Sequence, residues 1–137
     1  LVDYDVSYPF DIHRKKNEVD GDQLEIDMIP CIKNIIEDIF NTKSRHDISF
    51  KFHKTMVDAF VEVSLKVRNE TGISKAVLSG GVFNNDILLR GVILGLEQNN
   101  FTVYTHTKVP AGDGGISLGQ AIAAAAMEGE KYDFKIH

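Results

Sequence analysis

A chain of 137 residues, 43% hydrophobic and 26% charged, has the make-up of one soluble globular domain long enough to bury a core. A formal charge of −5 argues against broad contact with nucleic acid or a membrane through a basic face. The lone Cys31 excludes an internal disulfide and any multi-cysteine zinc or iron–sulfur site, and no apolar run approaches the ~20 residues of a transmembrane helix. A single cysteine fits a reducing compartment, so a cytoplasmic location is expected. The opening residues lack a signal-peptide pattern, and Leu1 reads as mid-sequence. The expectation is a single domain over residues 1–137, cut from a larger protein.

Residues 1–26 are extended and turn-rich. Tyr8-Pro9-Phe10-Asp11-Ile12-His13 reads as a strand, Gly21 as a turn residue, and Gln23-Leu24-Glu25-Ile26 as an antiparallel return. The aromatic residues of this hairpin are expected to cover core. Asp27 reads as the cap of a first helix, which tolerates Pro30 in its first turn because the N–H that proline lacks is unpaired there anyway. Ile29, Ile32, Ile35, Ile36, Ile39 and Phe40 repeat at helical spacing to about Thr42. Asp47 is the expected cap of a longer helix carrying Phe52, Met56, Phe60, Val63 and Val67 to about Glu70, stopped by Gly72. These helices should form a layer on a sheet.

The stretch from Lys75 to Ala126 reads strand, glycine turn, helix, strand, glycine turn, helix. Lys75–Ser79 is a short apolar run expected to be a buried strand. Asn84 or Asn85 caps a helix carrying Ile87, Leu88, Val92, Ile93 and Leu96, which Asn99-Asn100 ends. Phe101–His106 alternates and is β-branched. The intervening helix makes these strands a parallel pair joined by a crossover. The last helix, from Gly115 to about Met127, is alanine-rich with Gly119 inside it, which predicts close packing on a neighbouring helix or on backbone; a polar tail follows.

Each glycine turn follows an extended run and opens a helix, so each offers free backbone N–H groups to a phosphate or another anion. The first is Leu78-Ser79-Gly80-Gly81-Val82-Phe83-Asn84-Asn85; the second is Val109-Pro110-Ala111-Gly112-Asp113-Gly114-Gly115-Ile116-Ser117. Gly80-Gly81 permits positive φ and close approach of a ligand. A structural βα turn and a nucleotide site fit this pattern equally, since it is neither a Walker loop nor GxGxxG. Asp113 either caps its helix or offers oxygen to a metal ion while the glycine amides hold phosphate. Ser117 and Gln120 read as ordinary helix residues. His13, His46, His53, His106 and His137 form no HxxxH or HExxH pair, which argues against a histidine metal site. His53 either points toward the glycine turns or, as is more common, is a satisfied, partly buried histidine. Cys31 reads as core.

The two motifs, LSGGVFNN at 78–85 and VPAGDGGISLGQ at 109–120, closely resemble the C-terminal end of the HypF family, the carbamoyltransferases of NiFe-hydrogenase maturation. Phe52-His53-Lys54-Thr55 and Tyr8-Pro9-Phe10 are similar to that family's pattern as well, so the resemblance spans essentially the whole chain. The family's usual text is close to LSGGVFQN and VPPNDGGISLGQ. Asn84 therefore stands for a glutamine, and Ala111-Gly112 for Pro-Asn, which removes an amide side chain beside the aspartate.

This resemblance implies an α/β fold: a lobe of an actin-like ATPase (ribonuclease H-like), with a mixed sheet and helices packed on it, related to the TsaD family. It implies that Gly80, Gly81, Asn85, Gly114 and Gly115 contact nucleotide and that Asp113 is a ligand to a divalent metal (iron, zinc or magnesium). The family's paired metal histidines belong to the other lobe. The implied reaction uses carbamoyl phosphate and ATP, through carbamoyl-adenylate, to carbamoylate the C-terminal cysteine of an acceptor protein, HypE. Transfer of an O-carbamoyl group, or of a threonylcarbamoyl group to tRNA, on the same fold is the alternative enzyme reading, although the acidic charge argues against nucleic acid as a direct ligand. A non-catalytic nucleotide-binding module is the third reading.

Overall fold

The computed structural model describes residues 6–16 and 22–127. Its elements, in order, are strands β1 (Asp11–Lys15) and β2 (Gln23–Asp27), helices α1 (Ile29–Phe40) and α2 (Arg45–Thr71), strand β3 (Lys75–Leu78), helix α3 (Asp86–Gln98), strand β4 (Thr102–Thr105) and helix α4 (Ile116–Met127). Short 3-10 turns, Gly81–Asn84 and Asp113–Gly115, precede α3 and α4. The α/β class expected from the sequence is present. Strands of both senses occur, as two separate ladders among the described residues: β1 with β2 antiparallel, and β3 with β4 parallel.

The hairpin starts three residues later than expected, so Tyr8 precedes β1 and does not belong to it. The turn expected at Gly21 and the polar tail lie outside the described residues. Helix α1 takes Met28 as its N-cap, while the Asp27 carboxylate accepts a hydrogen bond from the Ile29 N–H at 2.8 Å. Ser44 caps α2: its hydroxyl accepts from the Asp47 N–H at 3.1 Å, which places Asp47 inside the first turn and not at the cap. Gly72 ends α2 in the left-handed region at φ 74°, as its position predicted.

Asn85 is the cap of α3 and anchors both the Ile87 and the Leu88 N–H. Leu78 from β3, Leu88, Val92 and Leu96 from α3, and Phe101 form the buried core, closed by Met56, Val57, Phe60 and Val61 of α2. Strand β3 is half buried, against expectation. Leu78 faces the core, whereas Val77, paired in register with Tyr104, is 72% exposed. A strand covered on one face only alternates in this way.

Helices α2 and α3 approach closely because α3 has glycine where they meet. A Cβ on Gly91 would come 2.6 Å from Val57 Cγ2, and one on Gly95 would come 2.7 Å from Val61 Cγ2. This glycine pair, one turn apart, lets the ridge of α2 sit against backbone. The close packing expected at Gly119 of α4 is absent among the described residues, since a Cβ there would meet nothing within 4 Å. Ile29, Ile32, Ile36, Ile39 and Phe40 of α1 are also exposed, so its apolar face is unpartnered among the described residues.

A polar network ties the segment before β1 to α1 and α2. The buried Tyr8 donates its backbone N–H to Thr55 Oγ1 at 2.8 Å, and that hydroxyl donates to the Lys51 carbonyl at 2.7 Å. Tyr8 Oη donates to Asp38 Oδ2 at 2.8 Å, and Lys51 Nζ donates to the same oxygen at 2.9 Å while lying 5.1 Å from the centre of the Tyr8 ring. Thr55, fully buried, is thus satisfied. The Lys51 hydrogen bond, against an opposing desolvation, holds the Asp38 carboxyl below the usual carboxylate range, with Tyr8 assisting. Burial, then the Asp38 hydrogen bond, pushes the Tyr8 phenol up.

A carboxyl whose folded pKa is depressed stabilises the fold above its unfolded pKa of about 4, and that stability is lost as pH falls through the folded value. Asp38→Asn should therefore lower stability at pH 7 by about 1–3 kcal/mol, the worth of hydrogen bonds to a charged group. It should also flatten the acid-side decline in the urea midpoint. An unchanged acid-side slope in the variant would contradict the assignment.

Candidate nucleotide cleft

Both glycine turns lie at the carboxyl ends of the parallel strands, where open α/β sheets place their ligands. Val77 pairs with Tyr104 and Leu78 with Thr105. Continuing that register by one residue sets Ser79 beside His106, and their Oγ and Nε2 atoms share a hydrogen bond of 2.9 Å. The sequence showed His106 only as one of several scattered histidines. Its signal was positional, since it directly follows β4 as Ser79 follows β3.

The turns touch. The Gly80 N–H donates to the Ala111 carbonyl at 2.8 Å, and a Cβ on Gly112 would come 3.3 Å from Gly81 Cα. Gly80 holds φ 109° and ψ 155°, a backbone region open in practice only to glycine. That conformation turns the chain from β3 into the 3-10 turn, which Phe83 pins to α2 with its ring 6.0 Å from that of Phe60. Gly81 has negative φ and open space where a Cβ would stand. In the second turn the glycines differ in kind. Gly115 is packed, since a Cβ would lie 2.9 Å from Val109 Cγ1 and 3.1 Å from the Pro110 carbonyl, whereas Gly114 is exposed.

Among the described residues, the N–H groups of Gly81, Asp113 and Gly114 meet no acceptor. These are the orphan donors at the start of each turn. Between the turns, Leu78, Phe83, Asn84, Thr105, His106 and Lys108 line a cavity of about 350 Å³.

Asn85 is committed at both ends of its amide. Its Oδ1 accepts from the N–H groups of Ile87 and Leu88 at 3.1 and 3.2 Å, and its Nδ2 donates to His53 Nε2 at 2.9 Å. The carboxylate of Asp113 is exposed and makes no hydrogen bond to a described residue, so it does not cap the turn it opens. One carboxylate oxygen donor is not a coordination set. No group of three or more His, Cys, Asp or Glu side chains able to hold a metal exists among the described residues. Asp113 can supply one ligand; the others would have to come from outside these residues. Cys31 is fully buried in α1, and burial pushes its thiol up, which keeps it protonated and unreactive.

The parallel βαβ unit with contiguous glycine turns at its strand ends, and helices packed on it, fits the actin-like ATPase lobe that the sequence resemblance implies. Residues 3–120 match the family model described as carbamoyltransferase, Kae1-like domain, second subdomain, and the chain belongs to that family. A probable carbamoyltransferase HypF from Methanocaldococcus jannaschii is 30% identical over 116 residues, covering 77% of this chain and 15% of that protein. The carbamoyltransferase HypF from Synechocystis is 29% identical over 116 residues, covering 85% of this chain and 14% of that protein. Among solved structures, full-length HypF in its phosphate- and nucleotide-bound form superposes with a TM-score of 0.78 at 38% identity, over 93% of this chain and 16% of that one. The chain thus spans about 15% of the length of the relatives it matches.

The geometry separates the two glycines of the first turn. Gly80→Ala should cost about 1–3 kcal/mol through backbone strain. Gly81→Ala should stay within about 0.5 kcal/mol of the parent, because the methyl enters open space. Equal losses for the two in chemical denaturation would show that the turn is not built as described.

Proposed function

We propose that this chain forms one wall of the nucleotide cleft of a HypF-type carbamoyltransferase. The observation that carries this reading is the Gly80-to-Ala111 hydrogen bond, which makes one cradle of two turns with orphan N–H groups. The phosphate- and nucleotide-bound state of the similar solved structure supports it. In this reading the N–H groups of Gly81 and Gly114 face phosphate oxygens, and the exposed Asp113 provides one oxygen to a divalent metal completed by residues beyond this chain.

The reaction served would be transfer of a carbamoyl group from carbamoyl-adenylate to the C-terminal cysteine of a HypE-type acceptor protein. The acceptor thiolate attacks the carbamoyl carbon, the carbon–oxygen bond to phosphate breaks, and AMP leaves with the electron pair. The chain's own part is electrostatic and positional. Its fixed amide dipoles face the phosphate and stabilise the charge that grows on the leaving group without having to reorganise. No nucleophile of this chain is required, in keeping with the buried, protonated Cys31. ATP supplies the adenylate when bound.

In the longer protein that carries this domain, Asp113→Ala should lower both metal content and transfer to the acceptor, the latter by roughly tenfold or more. Metal analysis of the purified variant, together with a single-turnover transfer assay, reads both. Full metal occupancy with an unchanged rate would remove Asp113 from the site.

A further inference from the structure

Helix α2 runs past the first glycine turn and carries His53 at the point of approach. The His53 ring has two contacts. Its Nδ1 lies 2.8 Å from the Ser49 carbonyl one helical turn back, and its Nε2 lies 2.9 Å from Asn85 Nδ2. A carbonyl oxygen needs a donor and an amide nitrogen needs an acceptor, so one arrangement satisfies both. Nδ1 carries the proton and donates to Ser49, and Nε2 accepts from Asn85. The Asn85 amide is oriented the same way from its other end, because its Oδ1 accepts from two backbone N–H groups. Carbonyl, imidazole, amide and helix start therefore form one relay with no conflicting roles.

A helix cap by itself needs only the oxygen. Serine, threonine and aspartate serve as well there and bring no N–H. Asparagine adds an NH₂ group with two N–H donors, of which one donates to His53 Nε2 and the other has no acceptor among the described residues. The remaining direction is fixed because both ends of the amide are held. Nothing else in the described residues requires a histidine at this position: its ring meets Phe52 only edge-on, at 6.3 Å between centroids.

We propose that His53 is a positioning residue of the cleft: by accepting from Asn85 Nδ2 it locks that amide so that its free N–H is presented to bound nucleotide. This rests on the nucleotide reading of the two turns. His53 does not itself touch the ligand. Glutamine can reproduce the relay, donating from its amide nitrogen and accepting at its oxygen, whereas alanine cannot and still keeps the helix.

The test is ATP affinity by calorimetry, in the longer protein, for the parent, His53→Ala, His53→Gln, Asn85→Ala and the His53→Ala/Asn85→Ala double variant. His53→Ala should weaken binding roughly 3- to 10-fold, the worth of one hydrogen bond. His53→Gln should restore most of it. In the Asn85→Ala background, His53→Ala should have no further effect, because the two act as one unit. An additive loss in the double variant, or failure of glutamine to rescue, overturns the positioning role. If Asn85→Ala weakens binding while His53→Ala does not, the positioning role falls and the nucleotide reading stands. If Asn85→Ala leaves ATP affinity unchanged, the role assigned to Asn85 at the nucleotide falls, and the inference falls with it.

Discussion

The hydrogen bond from the Gly80 N–H to the Ala111 carbonyl is the contact on which this lobe turns. Without it, the chain has two independent βα turns, each an ordinary helix start. With it, two turns separated by a helix and a strand face one cavity. Three conditions make the bond possible. The strands are parallel and in register to their carboxyl ends, Gly80 adopts a conformation closed to other residues, and Gly112 brings no side chain against Gly81. The geometry of the cradle thus follows from small residues at defined places more than from any catalytic side chain.

Support for the cradle comes from behind it. Phe83 anchors the first turn on Phe60, and His53 reaches the cap of α3 from α2. Both contacts need α2 to lie close to the βαβ unit, which Gly91 and Gly95 allow by leaving room for Val57 and Val61. Further out, Tyr8, Asp38, Lys51 and Thr55 hold the N-terminal segment and α1 on the other side of α2. Helix α2 is therefore the strut of the domain. One face seats the site-bearing unit, and its first half ties down α1.

Much of this was legible in the sequence, because local chemistry dictated it. Alternation, helical spacing, the Gly72 stop and an asparagine cap at 84 or 85, which the structure places at Asn85, each depend on residues within a turn or two of one another. The family resemblance rested on the two glycine motifs, and the match over residues 3–120 agrees with it. What the sequence did not show was mostly long-range. The Tyr8–Asp38 and Tyr8–Thr55 contacts bridge 30 and 47 residues, and no pattern announces them. The pairing of Ser79 with His106 depends on strand register. Gly91 and Gly95 acquire their meaning only when α2 is set against them. The apolar face of α1 was legible as a face, yet periodicity does not say what covers it. Asp113 was open between cap and ligand, and its exposed carboxylate, free of any hydrogen bond to a described residue, removes the capping role.

The most direct test of the account is the structure of the longer protein with a non-hydrolysable ATP analogue bound. The phosphate oxygens should lie about 3 Å from the backbone nitrogens of both Gly81 and Gly114, one from each turn. Phosphates bound elsewhere, with both turns unoccupied, would contradict the claim that the two turns form one nucleotide cradle.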